Sequence, residues 1–343
     1  PSELAYSFDF RAIVGLPVTG HKSSRRKEPR VPMPRFGAHM SIAGGFRKAV
    51  DAASALGMET VQLFTQSPSQ WAVKPAAIAS SSKKGQNADK VRWVAPSLDP
   101  TQVGAFHTAV RESGVAGPVA HGSYLINLAS PDDALWLKSI EAMIVELTRC
   151  DELGISDLVV HPGAHMGQGE EAGIRRVAEA LDLIQKRTEG RGVIIDLETT
   201  AGQGSTLGHR FEHLQGIINS VRSPEGLGVC VDTCHIFAAG YSLDRPERYD
   251  ETIGQLEKTV GLHRVRVWHV NDSCRECGSR VDRHAAIGGG KMGLEPFRHL
   301  VNDSRFQHLP MILETPKGMI EGEALDARNL RTLRQLISPK NDR

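Results

Sequence analysis

The chain has 343 residues, 40% of them hydrophobic and 24% charged, enough to bury a sizeable core in one large domain or two small ones. Its 41 Lys and Arg against 40 Asp and Glu leave a formal charge of +1, so global charge offers nothing for nucleic acid and any such surface must be a local patch. No apolar stretch approaches the roughly 20 residues that span a bilayer, and five cysteines in so long a chain do not describe a disulfide framework, which leaves a cytoplasmic, reducing compartment as the default.

Residues 1–34 lack periodicity and end in the basic "HKSSRRKEPR"; they read as a flexible, solvated extension. From residue 35 to 343, apolar runs alternate with amphipathic stretches. "RFGAH" is followed by the helical "GFRKAVDAASALG", and "TVQLFT" by a low-complexity insertion around residues 74–98, rich in Ser, Ala and Lys. "GPVAHG" precedes "ALWLKSIEAMIVELTRCDELG", and "LVVHPG" precedes "EEAGIRRVAEALDLIQKRTE". "VIIDLET", "LGVCVD", "VRVWHV" and "PMILET" complete the set. Eight β-then-α units with strands apolar on both faces fit a closed (β/α)8 TIM barrel better than an open doubly wound sheet.

The third run ends in His121, the fourth in His161 and the fifth in Glu198. Asp232 ends the sixth with His235 three residues on, His269 ends the seventh, Asp282 and His284 lie in the loop beyond it, and Glu314 ends the eighth. Any one of these has a bland reading: a His at a strand end is usually a hydrogen-bonded core residue, and a lone Asp often caps the next helix. His165, in "HPGAH", is read as structural. A barrel brings all the strand ends round one mouth, however, and four carboxylates there would repel and take up protons unless cations balanced them. Imidazole and carboxylate suit zinc, at about three protein ligands per catalytic ion, so nine ligands match about three ions and a hydrolytic centre. Manganese shares these ligand preferences and is allowed at one site.

"GAHMSIAGG", "HGSYLINLASP", "LETTAGQGSTLG", "VDTCHIFAAGY", "GSRVDRHAAIGGGKMG" and "ILETP", in this order, resemble the endonuclease IV family of abasic-site DNA repair enzymes from about Arg35 onward. The resemblance implies a trinuclear zinc centre. His121 and His161 would hold one ion and share Glu198 with a second; Asp232, His269 and Glu314 would complete that second site, and His235, Asp282 and His284 the third. It further implies hydrolysis of the phosphodiester 5′ to an abasic sugar and trimming of blocked 3′ ends in double-stranded DNA, with a monomer at work and Glu314 and Glu198 as the residues that orient the attacking hydroxide. Ser69, Gln70, Trp71, Tyr124, Leu125, Arg280 and Arg283 are the candidate DNA contacts, Tyr124 and Leu125 as an apolar wedge. Ser69 stands where the family commonly has a basic residue, and Thr199 where its motif reads Asn. The rivals are a metal-dependent sugar isomerase or epimerase, which would need only Glu198, Asp232, His269 and Glu314, and a non-catalytic damaged-DNA binder. Cys274 and Cys277 form a CxxC with no second pair, and an ordinary loop is the expectation for them.

Overall fold

The computed structural model describes residues 33–75 and 93–338; the expected N-terminal extension, apart from its last two residues, and most of the low-complexity insertion lie outside the described residues. Eight strands form the centre: β1 (Arg35–Ala38), β2 (Gln62–Phe64), β3 (Val119–His121), β4 (Asp157–Val160), β5 (Ile194–Glu198), β6 (Leu227–Asp232), β7 (Val265–His269) and β8 (Pro310–Leu313). All pair in parallel, each with its sequence neighbour from β2 to β8, and β8 pairs back onto β1. The last seam is closed by a parallel bridge between His39 and Gln62, with the Met40 N–H on the Gln62 carbonyl at 2.8 Å. All eight expected runs are strands, in the expected order. The barrel is the one that the alternation of runs predicts.

Gly37 makes the seam sterically feasible. A Cβ built there would lie 2.3 Å from the Thr60 carbonyl oxygen, far inside van der Waals contact.

Around the sheet run α1 (Phe46–Ala55), α2 (Pro100–Ser113), α3 (Asp133–Leu153), α4 (Glu170–Arg187), α5 (Phe211–Ser220), the short α6 (Thr233–Ala239), α7 (Pro246–Thr259), α8 (Glu295–Asn302) and α9 (Leu325–Gln335). The longest, α3, shows why its sequence is helical. Asp132 accepts from the Leu135 N–H at 2.8 Å to cap its start, and Gly154 stops it in the left-handed conformation. Trp136, Ile140, Met143, Leu147 and Cys150, at helical spacing, face the sheet. In α4, Glu170 and Glu171 sit in the first turn and Lys186 and Arg187 in the last, each favourable to the helix dipole.

The barrel holds two cores. The larger packs helices against the outer faces of the strands, and a small inner plug joins Val119, Val159, Cys230, Val267 and Ile312. Side chains alternate across a strand, so the residue two positions past each plug member points into the barrel again. Those residues are His121, His161, Asp232, His269 and Glu314. Below the plug, a register shift in β7 between the pairings of Val229 and Cys230 turns Arg266 inward, where it ion-pairs with Asp157 and Asp196. The insertion springs from the loop after β2, at the mouth end, and its neck is an antiparallel ladder of Lys74–Pro75 with Trp93–Val94. No helix among the described residues is long and apolar enough to cross a membrane.

Candidate metal centre

Glu198 lies at the centre of the mouth with no exposed side-chain surface. His121 Nε2 and His161 Nε2 stand 3.2 and 3.0 Å from its Oε2, and His269 Nδ1 and His235 Nδ1 stand 2.9 and 3.3 Å from its Oε1. From there the cluster runs on in both directions. His269 Nδ1 is 3.2 Å from Glu314 and 3.9 Å from Asp232, while His235 Nε2 is 3.2 Å from Asp282. His284 Nε2 closes the circle, 3.7 Å from Asp232 and 3.4 Å from Asp282. All nine predicted side chains therefore join one continuous network, although they span nearly two hundred residues of chain.

Ring orientation is set from outside the cluster. A carbonyl oxygen can only accept, so His121 Nδ1 donates to Gly122 O at 2.8 Å, His235 Nδ1 to Thr199 O at 2.8 Å and His284 Nδ1 to Glu314 O at 3.2 Å. His121 and His284 thus turn Nε2 towards the carboxylates, and His235 turns Nε2 to Asp282 while its Nδ1 also lies 3.3 Å from Glu198. The Nε2 atoms of His235 and His284 are buried and make no hydrogen bond. Buried nitrogens that point at carboxylates, with their far sides held by carbonyls, are the arrangement of metal-ligating histidines, and the donor set fits a divalent ion. Two trios, His121 with His161 and Glu198 and His235 with Asp282 and His284, bring a ligand atom from each member within 4.8 Å of the others.

Asp232 does two jobs. Its Oδ1 caps α6 by accepting from the His235 N–H at 2.8 Å, and its Oδ2 accepts from Asn271 Nδ2 at 2.7 Å while facing the cluster. The capping role weighed for a lone Asp is therefore real, and it coexists with the position at the mouth.

The imidazoles and carboxylates shift one another's proton affinities. Burial pushes the Glu198 and Glu314 carboxyls upward, but the His269 charge, joined by His161 at Glu198, outweighs it and holds both well below the usual range. Burial pulls His121 and His235 down, yet Glu198 and, for His235, Asp232 and Asp282 raise them instead. These are protons that a dication would displace on binding.

Two thiols come closer than expected. Cys230 lies with Glu198 and His269, and Cys234 with Asp232 and His284, in groups compact enough to share an ion. Burial, with neighbouring carboxylates, pushes the Cys234 thiol up to about 12 and the Cys230 thiol higher. Cys274 and Cys277 are exposed, and the Cys274 Sγ donates to the His284 carbonyl at 3.3 Å.

The candidate DNA contacts divide. Tyr124 is 63% exposed beside the cluster, its ring 5.9 Å from that of His121. Ser69, Gln70, Arg280 and Arg283 are exposed, and Arg280 takes a φ of +54°. Leu125 is half-buried. The Trp71 ring is half-buried, with the Lys138 ammonium 4.2 Å from its centroid. His165 is structural as expected, its Nδ1 accepting from the Gly169 N–H at 3.0 Å.

Sequence reading missed the supports. Gln62, His39 and Asn271 touch Glu314, His269 or Asp232 and were not singled out. Gln62 did leave a trace, as a polar residue inside a buried strand run. Thr199 now has a defined part, accepting from the Asp232 N–H through Oγ1 at 2.9 Å.

The class that this fold and mouth define is the xylose isomerase-like TIM barrel, and a family model of that description matches residues 50–336. The "Probable endonuclease 4" of Chloroflexus aurantiacus is 48% identical over 305 residues, which cover 89% of this chain and 99% of that protein. The crystal structure of endonuclease IV from Thermus thermophilus superposes with a TM-score of 0.71 at 36% identity, over 88% of this chain and 98% of that one. The chain belongs to the endonuclease IV family and is a nuclease. A D-psicose 3-epimerase from Clostridium cellulolyticum shares the fold alone, with a TM-score of 0.57 at 14% identity over 88% of this chain and 95% of that one.

Proposed function

We propose that the protein is a zinc-dependent repair endonuclease that cuts double-stranded DNA 5′ to abasic sites, leaving a 3′-hydroxyl and a 5′-deoxyribose phosphate, and trims blocked 3′ ends in base excision repair. The observation that carries this reading is the single network of five imidazoles and four carboxylates at the mouth. His121, His161 and Glu198 would hold one zinc; Glu198, Asp232, His269 and Glu314 a second; and His235, Asp282 and His284 a third, where manganese is also suited. Bound zinc would polarise the scissile phosphate and supply a water acidic enough to ionise near neutral pH.

The protein's own groups do the rest. Glu314 and Glu198 would orient the attacking hydroxide. Exposed Arg280 and Arg283 supply local positive charge for the phosphates, and Tyr124 offers an apolar face to the site left by a missing base. An abasic sugar has no pairing to lose on leaving the stack, which favours the lesion over a normal nucleotide by part of the usual few kcal/mol. A DNA footprint at one mouth suits a monomer.

The sugar-epimerase reading leaves His121, His161, His235, Asp282 and His284 without purpose, and nothing at the mouth favours it. The deciding experiment is nicking of an oligonucleotide duplex that carries one abasic site. Cleavage that a chelator abolishes and added zinc restores, with about three zinc ions per chain, is the expected result. Binding without cleavage in added zinc would leave only a damaged-DNA binder.

A further inference from the structure

We propose that Gln62 is a positioning residue that decides which ring nitrogen His269 turns towards the carboxylates and at the same time holds Glu314 in place. This rests on the metal-site reading above and deepens it. His121, His235 and His284 show Nε2 to the cluster because backbone carbonyls take their Nδ1 protons. His269 is held the other way round. Its Nε2 lies 2.7 Å from Gln62 Oε1, which can only accept, so Nε2 carries the proton and Nδ1 is left facing Glu198 and Glu314.

The other end of the same amide donates twice, to Glu314 Oε1 at 2.6 Å and to His39 Nδ1 at 3.0 Å. A reversed amide would set its oxygen against the Glu314 carboxylate and its NH2 against the His269 N–H, so the orientation follows from the partners. Gln62 is fully buried, which keeps water from replacing these bonds, and its backbone forms the bridge to His39 that closes the barrel. A backbone carbonyl cannot be mutated away; a glutamine can. His269 is therefore the one of these four rings whose orientation a single substitution should release.

The test uses the zinc-loaded full-length chain, the Gln62→Met variant, which keeps length and loses every side-chain hydrogen bond, and long-range proton–nitrogen spectra of the histidines. In the wild type, His269 should show a protonated Nε2 and a coordinated Nδ1, opposite to His121, His235 and His284. Gln62→Met should mix or reverse that signature, lose one zinc to a chelator about 10- to 100-fold more readily and lower kcat with KM little changed. A wild-type His269 coordinated through Nε2 overturns the proposal, as does a variant with unchanged spectrum and zinc retention. Should Gln62→Met fail to fold, the wild-type spectrum still decides. If His269 behaves as expected in a protein that leaves abasic DNA uncut, the endonuclease reading fails and this one stands.

Discussion

Glu314 faces the mouth with 16% of its side chain exposed, against none for Glu198, so it is the better placed of the two to meet a substrate. Its backbone N–H donates to Asn271 Oδ1 at 2.7 Å, its Oε1 accepts from Gln62, and neither bond needs a proton on the carboxyl. Glu314→Gln keeps the shape and removes the negative charge. DNA binding should persist while single-turnover nicking falls by about 10²- to 10⁴-fold, and near-normal turnover would remove Glu314 from its assigned role. His235→Ala should loosen one ion by at least about tenfold and cut activity, read as zinc per chain after dialysis; survival of both would remove the third site. Closeness of ligand types is not sufficient, as Glu170, His209 and His213 show. They form an equally compact trio, but both His213 ring nitrogens already face donors, Nδ1 the Gly208 N–H at 3.2 Å and Nε2 the Arg210 Nε at 3.1 Å. Arg210 bonds the Glu170 carboxylate at 2.9 Å, and the trio reads as a latch between α4 and α5. Glu170→Gln should therefore leave the zinc content unchanged.

Between elements, α7 and the turn after α8 are joined through one carboxylate. Tyr249 Oη donates to Asp303 Oδ2 at 2.9 Å and Arg305 Nε to Oδ1 at 2.8 Å. Burial pushes the Asp303 carboxyl up, but the Arg305 hydrogen bonds, aided by Tyr249, outweigh it and hold it below its ordinary 3.8. A folded value lower than the unfolded one gives stability that is present above the unfolded value and is lost as pH falls through the folded one. Asp303→Asn should thus cost about 1 to 3 kcal/mol at neutral pH, and the gap in urea midpoints should close in acid. Elements were also the scale at which sequence was easiest to read. Strands such as "LGVCVD" and helices such as α3 carry their own period, cap and stop, so they needed no partner to be recognised. The β7 register shift at Arg266 was not visible, because it answers to Asp157 and Asp196 on other strands.

At the scale of the whole molecule, closure of the barrel gathers the site, and Gly37 permits closure. Gly37→Ala would drive a Cβ into the Thr60 backbone, which cannot rotate away as a side chain could. We expect a loss of about 2 kcal/mol or more in chemical denaturation, with zinc retention falling alongside stability because Gln62, and with it His269, sits on the same seam. A fall in neither would mean that β1 can step back from β2 without disturbing the mouth. The sequence by itself determined the eight strands, their order and the six mouth residues at their ends, since hydrophobic alternation is local and names the residue at each strand end, while His235, Asp282 and His284 were read in the segments just beyond. Tertiary structure alone decided which nitrogen each histidine presents, that Lys138 sits over the Trp71 ring, and that two cysteines lie beside the cluster. The reason is that ring orientation and proton affinity depend on neighbours far along the chain, as with His269 and Gln62, 207 residues apart.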